Sequence, residues 1–361
     1  MLGVMAEKLE ALLKKQIQTT GPMNVGAFMA QALGHPEHGY YMGRDPFGVA
    51  GDFTTAPEIS QMFGEMIGAW IADIWAQMGA PKKFILLECG PGRGTLMADA
   101  LRATKNVRGF HAALKLHFLE TSPAMKAAQE KAVQSYNPAW HEGLDTVPDD
   151  LPLIVIGNEF LDALPVRQLQ KTKNGWAERM VGLNDSGDFC FSLVPYIGAA
   201  PDAPGAAAEG HIFEFSPAQV SFVTEICRRI KRQGGAALFI DYGENESKYG
   251  ESLQAIADHK VVSIFDHVGE ADISANVDFG AMAQAASKEG AAVFGPVAQG
   301  DFLNNLGIEQ RAEVLMKAAK TQAQKEDIEK ALHRLCDSGE MGAMFKAIGF
   351  AHGKALNPAG F

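Results

Sequence analysis

The spacing of hydrophobic residues along the chain changes near residue 81. Upstream, the stretch ISQMFGEMIGAWIADIWAQM has the apolar face of a long helix. A helix near the start is indicated by apolar residues at helical spacing: Leu9, Leu12, Leu13 and Ile17. Downstream of Pro81, the continuous apolar run KFILLEC is typical of a buried parallel strand. The pattern predicts a helical region over residues 1–81, followed by a different architecture.

From residue 82 onward, apolar runs that predict strands alternate with helical patterns. The predicted strands are 84–89, LKLHFLE, LPLIVIG and GAALFIDYG, with GAAVFGPV and AMFKAIGFA as candidate closing strands. Helices are predicted to begin at Thr95 and at the pair Ser122-Pro123, where serine caps the helix and proline occupies its first turn. The alternation predicts an α/β fold with a doubly wound, mostly parallel sheet.

The alternation is interrupted between residues 166 and 215. A hairpin is predicted in GWAERMVGLNDSGDFCFSLV, and the flexible loop GAAPDAPGAAAEG follows it. The chain is therefore predicted to have four parts. They are an N-terminal helical cap with a Gly-rich loop (1–81), the first half of the sheet (82–165), an insertion that is a candidate substrate or partner region (166–215), and the second half with C-terminal helices (216–361).

Composition and charge narrow the class of partner. The 361 residues carry a formal net charge of -11, which argues against a nucleic-acid surface because phosphate binding needs clustered Lys and Arg. No apolar run approaches the roughly 20 residues that span a bilayer, and the start of the chain contains acidic residues, unlike a targeting peptide. We expect a cytoplasmic protein without membrane insertion that binds proteins or small molecules.

The stretch LLECGPGRGTL resembles several nucleotide-binding loops. A phosphate-binding P-loop would need a lysine that the stretch lacks, and a dinucleotide fingerprint would need glycine where Thr95 stands. What is present is Glu88 at a strand end, followed by Gly90, Gly92 and Gly94. This pattern matches the first motif of class I S-adenosylmethionine methyltransferases. A tight turn without a ligand is the alternative.

A second acidic residue, Glu120, ends the next predicted strand. The carboxyl ends of neighbouring parallel strands meet at one edge of a sheet, where ligands bind. Glu120 is therefore a candidate partner for the two ribose hydroxyls of the cofactor, while Glu88 is a candidate to orient the loop or to meet the amino group of the ligand.

The third long strand leads into GNEFLDALPV, which brings Asn158, Glu159 and Asp162 to the same edge. Methyl transfer requires that the acceptor lone pair face the methyl group and that a nearby group take up the acceptor's proton. A carboxylate can grip a planar guanidinium with two hydrogen bonds. These three residues are the catalytic candidates, and capping of the following turn is the alternative for the two acids.

The loop GVAGDFTTAPEIS is a candidate lid over this edge, and a plain helix-entry loop is the alternative. The stretch HPEH lacks the spacing of a zinc-protease helix, and the four cysteines form no CxxC pair, so no metal site is expected. Asp241, in IDYGE, either lines the crevice or ends its strand.

Several motifs in order along the chain resemble one family. They are HPEHGYY, GDFTTAPEISQMFGE, LLECGPGRGTL, GNEFLDALPV, FIDYG, DISANVDFGAM and MGAMFKAIGF. Together they are similar to the MidA-like, S-adenosylmethionine-dependent methyltransferases. The resemblance implies a class I core with a seven-stranded sheet and an N-terminal helical region. The mitochondrial members of that family are linked to respiratory complex I assembly through symmetric dimethylation of an arginine on a complex I subunit.

The resemblance also implies roles for residues of the loop GDFTTAPE. Gly51, Phe53 and Thr54, together with Asn158, would lie against the cofactor, and Asp52 would take part at the methyl group. We therefore expect a methyltransferase that acts on an arginine of a protein substrate, in the family's case a complex I subunit. The alternatives are methylation of a small molecule or of another side chain, and a cofactor-binding assembly factor without catalysis.

Overall fold

The structure is a computed structural model that describes residues 2–43, 55–198, 203–352 and 356–361. The helices, in chain order, are α1 (Leu2–Thr20), α2 (Val25–Gly34), α3 (Tyr40–Gly43), α4 (Ala56–Ile59), α5 (Gln61–Gln77), α6 (Thr95–Ala103), α7 (Phe110–Ala113), α8 (Pro123–Val133), α9 (Pro217–Gln233), α10 (Phe279–Lys288), α11 (Gln299–Asn305), α12 (Ile308–Ala318), α13 (Gln322–Cys336) and α14 (Met341–Met344).

The strands, in chain order, are β1 (Met23–Asn24), β2 (Phe84–Cys89), β3 (Leu114–Leu119), β4 (Ala139–His141), β5 (Leu153–Asn158), β6 (Arg167–Thr172), β7 (Gly175–Leu183), β8 (Phe189–Pro195), β9 (Ile212–Phe215), β10 (Gly235–Glu244), β11 (Gln254–Ala257), β12 (Lys260–Val262), β13 (Asp272–Ser274), β14 (Val277–Asp278), β15 (Ala292–Ala298) and β16 (Phe345–His352).

The described chain forms two compact units, and each is built from several stretches of sequence. Unit 1 contains residues 2–43, 162–198, 203–222 and 246–281. Unit 2 contains the remaining described residues, from 55–161, 223–245 and the C-terminal part that begins at residue 282.

Unit 2 contains a sheet in which seven strands follow the order β4-β3-β2-β5-β10-β16-β15. The first five run parallel to one another, whereas β16 is antiparallel to both of its neighbours. This is the predicted α/β fold with a mostly parallel sheet. Every residue of β2 is buried, which agrees with the continuous apolar run that predicted this strand and with helices covering both faces of parallel sheets.

The start of α8 shows why the predicted helix boundaries are accurate here. The Ser122 side chain accepts a hydrogen bond from the backbone N–H of Met125, and Pro123 occupies the first helical position. Serine satisfies a backbone donor that would otherwise lack a partner, and proline loses nothing at a position where no helical hydrogen bond is made.

Helix α5 belongs to unit 2, although the sequence predicts one N-terminal region over 1–81. A Cβ at Gly68 would lie 2.7 Å from the carbonyl oxygen of Ala100 in α6, so glycine lets the two helices approach closely. The Glu65 carboxylate, 4% exposed, accepts hydrogen bonds from Arg102 of α6 and from Arg311 of α12. Close packing and ion pairs to a buried carboxylate thus join α5 to helices that follow it in sequence.

Unit 1 combines the beginning of the chain with the predicted insertion. Strands β1, β7, β6 and β9 form an antiparallel sheet in that order, and β8 pairs with β7 in the predicted hairpin. A second sheet has the order β12-β11-β13. The rings of Phe28 in α2 and Phe189 in β8 pack edge-to-face, with their centroids 5.5 Å apart. Ile273 of β13 lies in the same core. The predicted parts 1–81 and 166–215 therefore do not coincide with the units. Residues from both parts and from 246–281 form one hydrophobic core.

Across the described ranges, no helix has the length and apolar composition required to cross a bilayer.

Candidate functional site

The carboxyl end of β2 carries a buried acid. Glu88 is 3% exposed, and its Oε2 atom has no hydrogen-bond partner among the residues that the structure describes. Burial alone raises the pKa of Glu88 to about 8, because the charged form loses its hydration. The free protein therefore holds this carboxyl group largely protonated at neutral pH.

The glycines after β2 adopt backbone conformations that other residues rarely take. Gly90, Gly92 and Gly94 have φ angles of 63°, 52° and 82°, in the left-handed region that costs side chains with a Cβ about 1–2 kcal/mol. A Cβ at Gly90 would also lie 3.0 Å from the Phe160 ring. The loop ends where α6 begins, with Gly94 as the residue before the helix.

Glu120 lies immediately after β3, at the same edge of the sheet. Its Oε1 accepts a hydrogen bond from the backbone N–H of Ser122 at 2.8 Å, and its Oε2 accepts one from Gln129 at 3.0 Å. Burial raises the pKa of Glu120, and these hydrogen bonds oppose that shift. The two carboxylate oxygens together have four lone pairs, so the group keeps capacity for a further donor.

Gln129, a fully buried residue of α8, links this acid to the glycine loop. Its Nε2 donates to Glu120 and also to the carbonyl oxygen of Gly92, at 2.7 Å. Sequence reasoning missed Gln129 because a single glutamine in the helix PAMKAAQEKAV carries no motif. A search for buried positions on the helix after the second strand would have found it.

The chain makes a tight turn after β5. Glu159 has a φ of 51°, which is uncommon for a residue with a side chain. Its Oε1 accepts hydrogen bonds from the Nδ2 group of Asn158 at 3.0 Å and from the backbone N–H of Ala56 at 3.1 Å. The Oδ1 atom of Asn158 is buried and has no hydrogen-bond partner within the described ranges.

Asp241, 1% exposed in β10, holds this turn in place. Its Oδ2 accepts hydrogen bonds from the backbone N–H groups of Phe160 and Leu161, at 3.0 and 2.7 Å. Of the two interpretations of Asp241, these contacts favour the structural one, because the carboxylate satisfies backbone donors of the neighbouring strand's turn.

Helix α4, which follows the candidate lid, contacts the same edge of the sheet. The Thr95 hydroxyl donates to the Glu58 carboxylate at 2.6 Å, and Ala56 donates to Glu159 as described above. Two hydrogen bonds thus fix α4 to the start of α6 and to the turn after β5. Sequence reasoning did not predict the contact between Glu58 and Thr95.

Asp162 is the first residue of the second stretch of unit 1. Within that unit, Tyr41 donates a hydrogen bond to Asp272 at 2.9 Å. Burial first, then the nearby charges of Asp272 and Asp162, raise the pKa of Tyr41. Sequence reasoning did not identify Tyr41 or Asp272. The other predicted site residues, Gly51, Asp52, Phe53 and Thr54, lie outside the described residues.

The buried acceptors at this edge fit a ligand that brings its own hydrogen-bond donors. Glu88 and Asn158 lie at the ends of the paired strands β2 and β5, and each has one buried oxygen without a partner among the described residues. S-adenosylmethionine carries an ammonium group and two ribose hydroxyls, which are donors of this kind. Among the described residues, no group of three or more His, Cys, Asp or Glu side chains could hold a metal ion.

A seven-strand path with one antiparallel strand next to its edge, and an acid followed by a glycine loop after β2, define a class I methyltransferase fold. The chain belongs to a family described as S-adenosyl-L-methionine-dependent methyltransferases. The sequence model of this family matches residues 66–297. Its cofactor is therefore S-adenosylmethionine, and the chain is an S-adenosylmethionine-dependent methyltransferase. This confirms the predicted fold class, family and cofactor.

Animal proteins named as protein arginine methyltransferases are similar to this chain. The chain is 34% identical to the mitochondrial protein arginine methyltransferase NDUFAF7 homolog of Caenorhabditis elegans, over 94% of this chain and 85% of that protein. It is 32% identical to the mitochondrial protein arginine methyltransferase NDUFAF7 of Homo sapiens, over 92% of this chain and 81% of that protein. The predicted cytoplasmic location is wrong by this comparison, because these relatives are named as mitochondrial proteins.

A solved structure resembles the whole chain. A protein from Burkholderia thailandensis, bound to S-adenosyl-homocysteine, has a TM-score of 0.85 and 30% sequence identity, and the match covers 99% of this chain and 95% of that chain. S-adenosyl-homocysteine is what remains of the cofactor after methyl transfer, which agrees with the cofactor stated above.

Proposed function

We propose that this chain transfers a methyl group from S-adenosylmethionine to an arginine side chain of a protein substrate. The observation that carries the proposal is that relatives named as protein arginine methyltransferases match 92–96% of this chain at 32–34% identity. The partner that the family resemblance suggests is a subunit of respiratory complex I.

In this proposal the cofactor is held at the ends of β2 and β3. Glu88 accepts from the ammonium group, the backbone of Gly90, Gly92 and Gly94 passes close beneath the ligand, and Glu120 accepts from the ribose hydroxyls. The support is geometric: the Glu88 oxygen is buried without a partner among the described residues, and a Cβ in the glycine loop would be strained.

When bound, the cofactor supplies an electrophilic methyl group on a sulfonium. The protein's own task is to hold one guanidinium nitrogen in line with that methyl group, so that the nitrogen lone pair forms the new bond while the carbon–sulfur pair stays on sulfur. In the proposal, Glu159 and Asp162 grip the guanidinium and take up the proton that the nitrogen loses, and Asn158 and Asp52 border the methyl group.

The hydrogen bonds of Glu159 refine its proposed role. Its Oε1 already accepts from Asn158 and Ala56, so a substrate donor would share this oxygen or use Oε2. The carboxylate would then connect the acceptor directly to α4, the helix that follows the candidate lid.

Calorimetric titration of the purified protein with S-adenosylmethionine, beside NADH, tests the cofactor site. We expect S-adenosylmethionine alone to bind, and we expect Gly92→Val and Glu120→Ala to abolish or strongly weaken binding. Intact binding in both variants would contradict the assigned cofactor residues.

A transfer assay tests the substrate class. The protein is incubated with methyl-tritiated S-adenosylmethionine and a lysate of a source strain that lacks it, and the labelled protein is hydrolysed to amino acids. We expect label in methylated arginine, and less of it with Glu159→Gln and with Asp162→Asn. Label confined to metabolites or to another amino acid would overturn the arginine proposal.

A further inference from the structure

Gln129 makes three hydrogen bonds inside the protein, to the loop after β2, to the loop after β3 and to β4. Its Nε2 donates to the carbonyl oxygen of Gly92 at 2.7 Å and to Glu120 Oε2 at 3.0 Å. Its Oε1 accepts from the indole N–H of Trp140 in β4 at 2.8 Å. The primary amide has two N–H donors, so both are used.

Trp140 determines which way this amide points. The two ends of a glutamine amide look alike in shape, and their assignment depends on the partners. An indole nitrogen can only donate, so the end of Gln129 that faces Trp140 must be the oxygen. The NH₂ end is therefore directed at Gly92 and Glu120, both of which offer acceptors. The network is consistent in only this orientation.

Gly94 allows α8 to come close enough for these contacts. A Cβ at Gly94 would lie 3.2 Å from Ala132 Cβ and 3.3 Å from Gln129 Cα. Either distance is tighter than ordinary van der Waals contact, so a side chain here would push α8 away. Glycine at position 94 thus leaves the space that Gln129 needs to reach Gly92 and Glu120.

We propose that Gln129 is a positioning residue that holds the Gly92 carbonyl and the Glu120 carboxylate in one fixed arrangement, so that the site selects a ligand bearing both ribose hydroxyls. The inference rests on the proposed role of Glu120 at the ribose. Gln129 does not touch the ligand in this view. It acts by orienting an acceptor before the ligand arrives, which reduces the ordering cost of binding.

Gln129→Met is the variant that tests this role. Methionine keeps a side chain of similar length and its helix preference but removes both donors. Glu130→Met, an exposed change on the same helix, is the matched control. Each protein is titrated with S-adenosyl-homocysteine and with the analogue that lacks the 3′-hydroxyl, and the ratio of the two dissociation constants is compared.

The wild type and Glu130→Met are expected to favour S-adenosyl-homocysteine over the deoxy analogue by about tenfold or more, the size expected for one hydrogen bond to a charged group. In Gln129→Met, S-adenosyl-homocysteine should bind about tenfold to a hundredfold more weakly, because Glu120 is no longer held in the orientation that accepts a hydrogen bond from the ribose. The analogue should change far less, so the ratio falls toward one.

A merely structural role would weaken both ligands by the same factor and leave the ratio unchanged, which would overturn the inference. Trp140→Phe provides a second test should Gln129→Met not fold, because it removes the donor that orients the amide and keeps an aromatic ring. It should lower the ratio to a smaller extent, and an unchanged ratio counts against the inference.

Glu120→Ala separates this inference from the proposed function. If Glu120→Ala leaves S-adenosyl-homocysteine binding intact, the ribose assignment fails, and the inference about Gln129 fails with it. If Glu120→Ala abolishes binding but Gln129→Met keeps the wild-type ratio, the cofactor assignment stands and only the inference about Gln129 is overturned.

Discussion

At the scale of single residues, burial determines the chemistry of Glu88. The carboxyl group has a pKa of about 8 in the folded protein, against a usual value of 4.5, and loss of hydration is the cause. Between these two values the unfolded chain has released this proton and the folded chain still holds it. Because stability falls with pH wherever the folded state binds more protons, this residue destabilises the free protein as pH rises from about 4.5 to 8.

We therefore expect Glu88→Gln to change how stability depends on pH. Without ligand, the difference in unfolding free energy between variant and wild type should grow in favour of the variant between pH 5 and 8, by a few kcal/mol at about 1.4 kcal/mol per pH unit. Urea unfolding at several pH values measures it. Glu130→Gln, an exposed change, is the control, and parallel profiles for Glu88→Gln and wild type would show that Glu88 does not titrate in this range.

At the scale of elements, glycine determines where α5 packs. A Cβ at Gly68 would lie 2.7 Å from the carbonyl oxygen of Ala100 and 2.8 Å from its Cα. Both atoms belong to the backbone of α6, so they cannot move aside as a flexible side chain would. The approach of α5 to α6 therefore requires glycine at this position.

Gly68→Ala should lower the unfolding free energy by about 1–3 kcal/mol, the usual cost of forcing one extra carbon into a packed interior. Gly34 is also helical, but no atom lies within 4 Å of a Cβ added there. Gly34→Ala should therefore be neutral or stabilising by up to about 1 kcal/mol. Denaturant unfolding of both variants measures the difference. Equal effects would mean that the helices separate at little cost.

Sequence patterns predicted those elements whose boundaries depend on residues within or next to the element itself. Ser122 and Pro123 define the start of α8 through backbone chemistry within three residues, and the apolar run of β2 needs no partner to be recognised. The packing of α5 depends instead on Ala100, 32 positions beyond Gly68 in the sequence. No pattern within α5 distinguishes a helix of unit 1 from a helix of unit 2.

At the scale of the whole molecule, the two units are assembled from interleaved stretches of chain. The core of unit 1 brings Phe28, Val181 and Ile273 together from three separate stretches. Sequence reasoning treated the first and second of these stretches as separate parts, because the contacts between them are long-range. The candidate cofactor residues Glu88 and Glu120 were found because neighbouring parallel strands bring their ends to one edge, whereas Gln129 depends on how α8 packs.

Ligand binding should protect unit 2 selectively. In hydrogen exchange, S-adenosyl-homocysteine should slow the exchange of segments 88–95 and 119–129, because they contain the glycine loop, Glu120 and Gln129. The hairpin 175–195 of unit 1 should exchange at the same rate with and without ligand. Gly92→Val should abolish the protection, and equal protection of all three segments would contradict a cofactor site at these strand ends.

A carboxyl group that keeps its proton in the free protein and loses it beside a ligand ammonium group releases that proton to the buffer. If Glu88 binds the cofactor as proposed, loading the protein would acidify an unbuffered solution. The heat of binding would then vary with the ionisation enthalpy of the chosen buffer. The concentration of cofactor that half-fills the site would fall as the surroundings become more alkaline, so that the fraction of loaded enzyme would follow the pH of its compartment.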